Sequence, residues 1–374
     1  MPWSQVSIME QREEFVRLAR LEGVNRRELC RRFGISAQTG YNWLRRFAAG
    51  ERLDDRSRRP KSSPQRVSAA WEEAVVRVRE EHPAWGARKI AAVLARSQSE
   101  LPAVSTIHAI LRRHGHVGPR TAAGQAPLRF EHEAANRLWQ MDFKGRVRLG
   151  TEQPCHPLTI VDDHSRFCVC LAACPDQQTR TVQEQLERCF ARHGLPEAFL
   201  VDNGSPWGSS HKESRWTPLR VWLAHLGVEV IYARPFHPQT KGKNERFNRT
   251  LGEEVLALRS YRDISALQQA FDRWRTVYNH HRPHEALGQA IPASRYRPSQ
   301  RRWPETIPAV SYAPDAITRL VPRTKAQISY RGKLWSVPKA FKGHRLAIRP
   351  TSNHDILGIY FGANRVANID LSAL

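Results

Sequence analysis

No apolar run in the sequence approaches the roughly 18 residues that a membrane-spanning helix needs. The first ten residues, MPWSQVSIME, lack the basic and apolar regions of a signal peptide, so the expectation is a cytoplasmic protein with no membrane partner. Cysteine is scarce and never spaced as CxxC. The six are Cys30, Cys155, Cys168, Cys170, Cys174 and Cys189, a pattern that argues against a zinc knuckle or a dithiol redox motif. Cys168 and Cys170 alternate along the apolar stretch FCVCLAA and read as small buried thiols on one sheet face. Acid is also in short supply: Asp and Glu number 36 against 59 Lys and Arg, a formal charge of +23. The basic residues run through folded-looking segments instead of one tail. A polyanion is therefore the expected partner, and nucleic acid suits that spread better than an anionic membrane surface.

What is present divides into segments. Residues 11–48 carry Phe15, Leu18 and Ala19 at helical spacing, then Leu29, Cys30 and Phe33, then a break at GIS where Ser36 can cap a third helix bearing Tyr41, Trp43, Leu44 and Phe47. This is the outline of a helix-turn-helix, and the arginines at 26, 27, 31, 32, 45 and 46 favour it over a plain three-helix bundle. Gln38, Thr39, Tyr41 and Asn42 are candidate base readers, with Arg45 and Arg46 on phosphate. The expected boundaries are a helix-turn-helix domain over 1–50, a basic linker over 51–67, a second helix-turn-helix-like domain over 68–117 with Ser105 as a candidate cap, and a linker over 118–135. From 136 to 298 the period changes. Three strands, a helix, a strand, a helix, a strand and then long helices predict a mixed sheet covered by helices. Residues 318–374 offer short strands at close intervals and predict a small β-barrel. The fold class is thus multidomain α/β, with N-terminal all-α modules, a mixed-sheet core and a C-terminal barrel.

The stretch HPQTKGKNERFNRTL, residues 237–251, sets one carboxylate, Glu245, among Lys241, Lys243, Arg246 and Arg249. Two other acids fall where backbone geometry can aim them: Asp142 in the first core strand and Asp202 at the end of FLV. Hard divalent cations such as Mg2+ take oxygen ligands and are held by a few carboxylates, with water and phosphate completing the shell. Two such ions stabilise the attacking and leaving oxygens of an in-line phosphoryl displacement. Asp142, Asp202 and Glu245 are the candidate catalytic and metal-ligating residues, and the four cations around Glu245 are candidate DNA contacts. Asp162 and Asp163 in VDDHSR read as hairpin-turn residues, Asp162 being the substitute for Asp142. YNHHRPH tempts a zinc reading, but no cysteine or carboxylate partner has matching spacing, and a structural or DNA-facing role is preferred.

With WQMDFKG, LTIVDDHSRF, VDNGSPW, PFHPQTKGKNERFNRTL and YNHHRPHEALGQAIPASRY in hand, the chain resembles a bacterial insertion-sequence transposase with a retroviral-integrase-type catalytic core over nearly its whole length. The resemblance implies a ribonuclease-H-like core with a D-D-E metal triad on Asp142, Asp202 and Glu245. It also implies two Mg2+ ions, for which Mn2+ can substitute, N-terminal helix-turn-helix modules and an SH3-like C-terminal barrel. The implied partners are double-stranded DNA, as element terminal inverted repeats and target, and further copies of the chain on that DNA in the nucleoid. The stretch between Asp202 and Glu245 is longer than such cores usually have, and the polar loop WGSSHKESRWTP, 207–218, accounts for the surplus. A regulator with a decayed catalytic domain conflicts with the intact acids, and a structure-selective nuclease needs fewer DNA-reading modules.

The basic C-terminal segment generates a test. Deleting 318–374 should weaken DNA binding and flatten its dependence on salt, because fewer counterions are then released. An unchanged slope of affinity against salt would mean an ordinary solvated basic face.

Overall fold

Residues 7–56, 67–118, 131–208, 216–233 and 242–373 are described in a computed structural model of the chain, in which two units separate, Met1–Arg66 and Val67–Leu374. In the first unit, helices α1 (Ile8–Ala19), α2 (Arg26–Arg32) and α3 (Ala37–Ala48) begin at side-chain caps. Ser7 and Glu10 form a reciprocal box, Asn25 accepts from Arg27 N and Glu28 N, and Ser36 accepts from Thr39 N as its sequence position predicts. Phe15, Val16, Ala19, Leu29 and Cys30 fill the centre. The unit does not stop at residue 50. Leu53 is buried in the same core, and Arg12 donates to its carbonyl at 2.7 Å and pairs with Asp55 at 2.7 Å, so part of the expected linker is folded. The rest of that linker, 57–66, lies outside the described residues.

The second unit opens with α4 (Ala69–Glu81), α5 (Ala87–Leu94) and α6 (Val104–Arg113) around Val75, Trp85, Ile90, Ile107 and Ile110. Ser105 does not cap α6, because the helix starts two residues earlier than that cap would allow, after Ala103, which puts Ser105 in its first turn. The core follows as β1 (Leu138–Phe143), β2 (Val147–Arg148), β3 (Pro154–Asp162), β4 (Cys168–Cys174), α7 (Thr179–His193), β5 (Ala198–Val201), α8 (Pro218–His225) and β6 (Glu229–Tyr232). Helix α9 (Gly242–Leu251) runs on into a π-helical turn, Gly252–Leu256, and is followed by α10 (Ile264–His280) and α11 (Pro292–Arg295). The sheet runs β4-β3-β1-β5-β6, with the short β2 beside β3. Pairings are antiparallel on the β4-β3-β1 side and parallel from β1 through β5 to β6. This is the mixed sheet that the alternation of strands and helices predicts.

The two faces of the sheet carry different cores. Trp139, Met141, Leu158, Ile160, Phe199 and Val201 pack against α7 and α8, whereas Val161, Cys168 and Leu171 pack against α9 and α10 through Phe247, Leu251, Phe271 and Tyr278. Cys168 and Cys170 therefore do not share a face. A register shift where β4 pairs with Ile160 and Val161 inserts an extra residue and turns the two thiols to opposite sides. All six cysteines are free and buried.

At the C-terminal end, β7 (Ile317–Leu320), β10 (Arg345–Pro350), β11 (Ile356–Phe361) and β12 (Asn364–Asp370) form an antiparallel sheet in the order β12-β11-β10-β7. Strands β8 (Gln327–Tyr330) and β9 (Lys333–Ser336) form a separate hairpin over the same core, which includes Val321, Ile328, Phe341, Ile348 and Phe361. The expected barrel is thus realised as two small sheets. Pro322, just after β7, has no N–H with which to carry that strand's ladder onward. Among the described residues no helix is long and apolar enough to cross a membrane.

Gly40 in α3 shows how tightly the first unit is packed. A Cβ there would stand 2.5 Å from Cys30 Sγ and 2.8 Å from Phe15 Cζ. Alanine would gain about 1 kcal/mol of helix propensity, but overpacking costs about 1–3 kcal/mol, so the clash should win. Gly40→Ala should lower the stability of this unit in thermal unfolding; a stabilised unit would contradict the packing.

Candidate active site

Strand alternation and register place two of the three candidate acids. Gln140 and Asp142 point to the side of β1 opposite Trp139 and Met141, towards α9. Strands β1 and β5 are parallel, with Leu138 opposite Ala198, Trp139 opposite Phe199 and Gln140 opposite Leu200. Asp142 and Asp202 each follow the last paired residue of their strand by two positions, so both stand toward the carboxyl ends of these neighbouring parallel strands. Asp202 follows the last residue of β5; its Oδ1 accepts from Gly204 N at 2.8 Å and from the Trp207 indole. Trp207 in turn stacks on Phe143, with centroids 5.4 Å apart, so the turn after β5 leans on the end of β1.

Helix α9 lies across this end of the sheet. Asn248 Nδ2 donates to Asp142 Oδ2 at 3.2 Å, and Thr159 Oγ1 stands 3.1 Å from the Asp142 carbonyl and 3.2 Å from Asn244 Oδ1. Glu245, three residues before Asn248, is exposed on the first turns of α9. Among the described residues, no three His, Cys, Asp or Glu side chains stand close enough to hold a metal ion together. The arrangement is open: two carboxylates share the strand ends and the third is on a helix anchored to one of them. Asn248 Oδ1 is buried with no hydrogen-bond partner among the described residues, an acceptor oxygen beside Asp142.

Asp162 and Asp163 do close the β3–β4 hairpin. Asp162 accepts from Ser165 N at 2.8 Å, Ser165 Oγ at 2.6 Å and Asn136 N at 2.8 Å; burial raises its carboxyl pKa against those bonds. Asp163 does more than turn the chain. It accepts from Gln140 Nε2 at 2.8 Å and His132 N at 2.9 Å, and its Oδ1 pairs with Lys243 Nζ at 2.5 Å. Lys243 is therefore engaged inside the protein, and burial lowers its pKa against the pull of Asp163. Arg246 and Arg249 are exposed on α9, Arg249 with its Nε 4.0 Å from Glu253. Lys241 lies outside the described residues, as do 209–215 of the polar loop.

On α3, Gln38, Tyr41 and Arg45 are exposed and Asn42 is half-buried along the same helix face. Asn42 Oδ1 accepts from Arg45 at 3.0 Å and lies 3.5 Å from Gln38 Nε2. Thr39 is tied into the cap, its Oγ1 2.9 Å from Ser36 Oγ. Arg46 turns away from this face. Its guanidinium donates to the carbonyls of Arg52 and, at 2.8 Å, Asp54, which holds the segment after α3 in place.

The YNHHRPH motif is an internal fastening. Asn279 accepts from Cys168 N at 2.8 Å and donates to Cys168 O at 3.0 Å, pinning the end of α10 to β4. Arg282 pairs with Glu254 of the π-turn at 2.9 Å, both almost fully buried, and Trp274 Nε1 donates to the same carboxylate at 2.9 Å. Burial beside Arg282 pushes the His284 imidazole down to about 2, so it stays neutral. The signal that could have revealed Asn279 and Arg282 is the mix of polar residues with Tyr278 at the apolar end of α10; it does not name their partners.

The profile of an integrase core domain matches residues 132–238, and a second profile of the same description matches 226–292. Residues 11–61 match a helix-turn-helix domain, 39–111 a homeodomain-like domain, and 317–373 the C-terminal domain of IS481 family transposases. An uncharacterized 39.2 kDa protein of insertion element IS476 from Xanthomonas euvesicatoria is 28% identical over 168 residues, 44% of this chain and 46% of that protein. An uncharacterized 31.7 kDa protein of insertion element IS407 from Burkholderia multivorans is 26% identical over 161 residues, 43% of this chain and 55% of that protein. The chain thus spans about half the length of these relatives. Among solved structures, a chain of the simian T-cell lymphotropic virus intasome is similar at a TM-score of 0.36 and 16% identity, covering 78% of this chain and 99% of that one. The HTLV-2 integrase catalytic core domain, solved in complex with magnesium, is similar at 0.34 and 13% identity, covering 44% of this chain and 99% of that one. Along the chain, helix-turn-helix and homeodomain-like profiles are thus followed by integrase core profiles and by that of a transposase C-terminal domain.

The contrast between neighbouring arginines on α3 can be measured. Arg46→Ala should destabilise the first unit by about 0.5–1.5 kcal/mol through the hydrogen bonds it loses, whereas Arg45→Ala should leave the melting temperature unchanged and weaken DNA binding. The reverse pattern in paired melting and binding assays would contradict the two roles.

Proposed function

We propose that the chain is a DNA transposase that binds the ends of its own mobile element, cleaves a strand there and joins the freed end to target DNA in a metal-dependent phosphoryl transfer. The observation that supports this reading is the parallel pairing of β1 and β5, whose last paired residues stand two before Asp142 and Asp202, together with the bond from Asn248 of α9, the helix of Glu245, to Asp142. The donor chemistry fits a hard cation: carboxylate oxygens only, with the unpartnered Asn248 Oδ1 beside them. Asp142, Asp202 and Glu245 would hold two Mg2+ or Mn2+ ions, Glu245 turning inward from its exposed position. When bound, the ions supply electrophilic stabilisation of the attacking and leaving oxygens.

The chain's own residues do the remaining work. Arg246 and Arg249 hold the phosphodiester on the exposed side of α9; Lys243 is committed to Asp163. In the first step a water oxygen forms a bond to phosphorus, the bond to the 3′ oxygen breaks, and a 3′-OH is released. In the second that 3′-OH oxygen bonds to a target phosphorus and displaces the target's own 3′ oxygen, so one phosphodiester replaces another and no external energy source is required. Sequence reading belongs to the first unit, where Gln38, Tyr41 and Asn42 present amide and hydroxyl groups. Joining two element ends in one event calls for at least two copies of the chain on paired DNA.

The test is cleavage of a labelled terminal-repeat duplex by point variants, with binding measured alongside. Glu245→Gln should retain or tighten DNA binding while cleavage falls about a thousandfold, the effect of losing roughly 4 kcal/mol of transition-state stabilisation. Asp142→Asn and Asp202→Asn should behave alike and should not add to the glutamate change, because the three act as a unit. Near-normal cleavage by Glu245→Gln would return that residue to an incidental acid on a basic helix.

A further inference from the structure

We infer that Gln140, Asp163 and Lys243 are positioning residues that set α9 in rotation and height, and through it Glu245, against the strand ends bearing Asp142 and Asp202. This rests on the reading of those three carboxylates as the reactive centre. None of the three positioning residues stands in the candidate triad.

The case is geometric. Helix α9 begins at Gly242, and the N–H groups of its first turn have no partner within the helix. Gln140 supplies one from the sheet: its Oε1 accepts from Asn244 N at 3.2 Å. The same amide donates through Nε2 to Asp163 Oδ1 at 2.8 Å, and Asp163 holds Lys243 Nζ at 2.5 Å on the same oxygen and at 3.4 Å on its backbone carbonyl. A single side chain thus caps the helix and orients the carboxylate that grips the helix's second residue. Lys243 is 17% exposed and Asp163 2%, so water competes little for the pair.

Position along the chain turns this clasp into a setting device. Gln140 lies two residues before Asp142 on the same face of β1, and Lys243 lies two residues before Glu245 on α9. The clasp and the Asn248–Asp142 bond at 3.2 Å bracket Glu245 on its own helix. Each residue of slippage turns an α-helix by about 100° and lifts it about 1.5 Å, which would carry Glu245 off the sheet end. A metal-binding constellation tolerates about 0.5 Å. The clasp has a second attachment: His132 N donates to the other Asp163 oxygen at 2.9 Å, and neighbouring Glu131 pairs with Arg166 at 3.0 Å and Arg295 at 2.8 Å. The chain entering the core is therefore fastened at the point that fixes the helix.

The experiment uses the full chain and four variants: Lys243→Met, Lys243→Arg, Gln140→Leu and, as a reference, Glu245→Gln. Melting temperature, Mn2+ affinity by calorimetry without DNA, DNA affinity, and cleavage of the element's own terminal-repeat duplex are measured well below each melting point. Lys243→Met and Gln140→Leu should weaken Mn2+ binding and slow cleavage, each by about 10–100-fold as for other residues that orient ligands, with DNA affinity within about twofold. Lys243→Arg should recover most of both losses, because it keeps the charge facing Asp163. If the folded Met and Leu variants bind Mn2+ and cleave like the unaltered chain while Glu245→Gln does neither, the clasp is structural only and the inference fails. If Glu245→Gln itself binds Mn2+ and cleaves normally, the reading of the three carboxylates fails first. Should Lys243→Met not fold, Gln140→Leu decides alone, since it leaves both charges in place.

Discussion

A patch of polar groups is buried where an otherwise apolar sheet meets α9, and the architecture of the core depends on satisfying it. Burying an unpaired polar group costs several kcal/mol, so Gln140, Thr159, Asp162 and Asp163 require partners. They find them in Asn136, Ser165, Lys243 and Asn244, drawn from three different parts of the chain. Apolar packing through Phe247 and Leu251 would hold α9 to the sheet with little preference for its rotation. The hydrogen bonds supply that preference, because each fits one register.

The distribution of charge follows a similar division. With +23 formal charges, the chain invites the reading that every arginine and lysine faces DNA. Several do not. Arg46 holds the loop after α3, Arg282 is buried against Glu254, and Arg301 donates to the carbonyls of Pro196, Leu226 and Gly227, tying the segment beyond the core to α7 and α8. Arginine suits such posts because its planar guanidinium satisfies two or three carbonyls at once and keeps its charge when buried. The exposed basic excess is smaller than the composition suggests; Arg45, Arg246 and Arg249 are among the exposed positions.

Local features were legible in the sequence. The Ser36 cap and the order of strands and helices both express short-range physics, and the structure reproduces them. Asp142 and Asp202 stood out because an acid at a strand end is local information. What could not be read was pairing across the chain. Lys243 sits among Lys241, Arg246 and Arg249 in sequence and looks like a fourth phosphate ligand, yet its partner Asp163 is 80 residues away. Asn279 meets Cys168 across 111 residues. The Cys168–Cys170 faces were misjudged for a related reason: strict alternation holds only until a bulge slips the register.

Asp142, Asp202 and Glu245 are proposed to form one metal centre where β1, β5 and α9 meet. Anomalous diffraction from crystals soaked in Mn2+ tests it most directly. Anomalous density is expected between the Asp142 and Asp202 carboxylates, with Glu245 turned inward towards it and Lys243 still on Asp163. Mn2+ ligated elsewhere, with Asp142 and Asp202 bare while the crystals hold the ion, would contradict it.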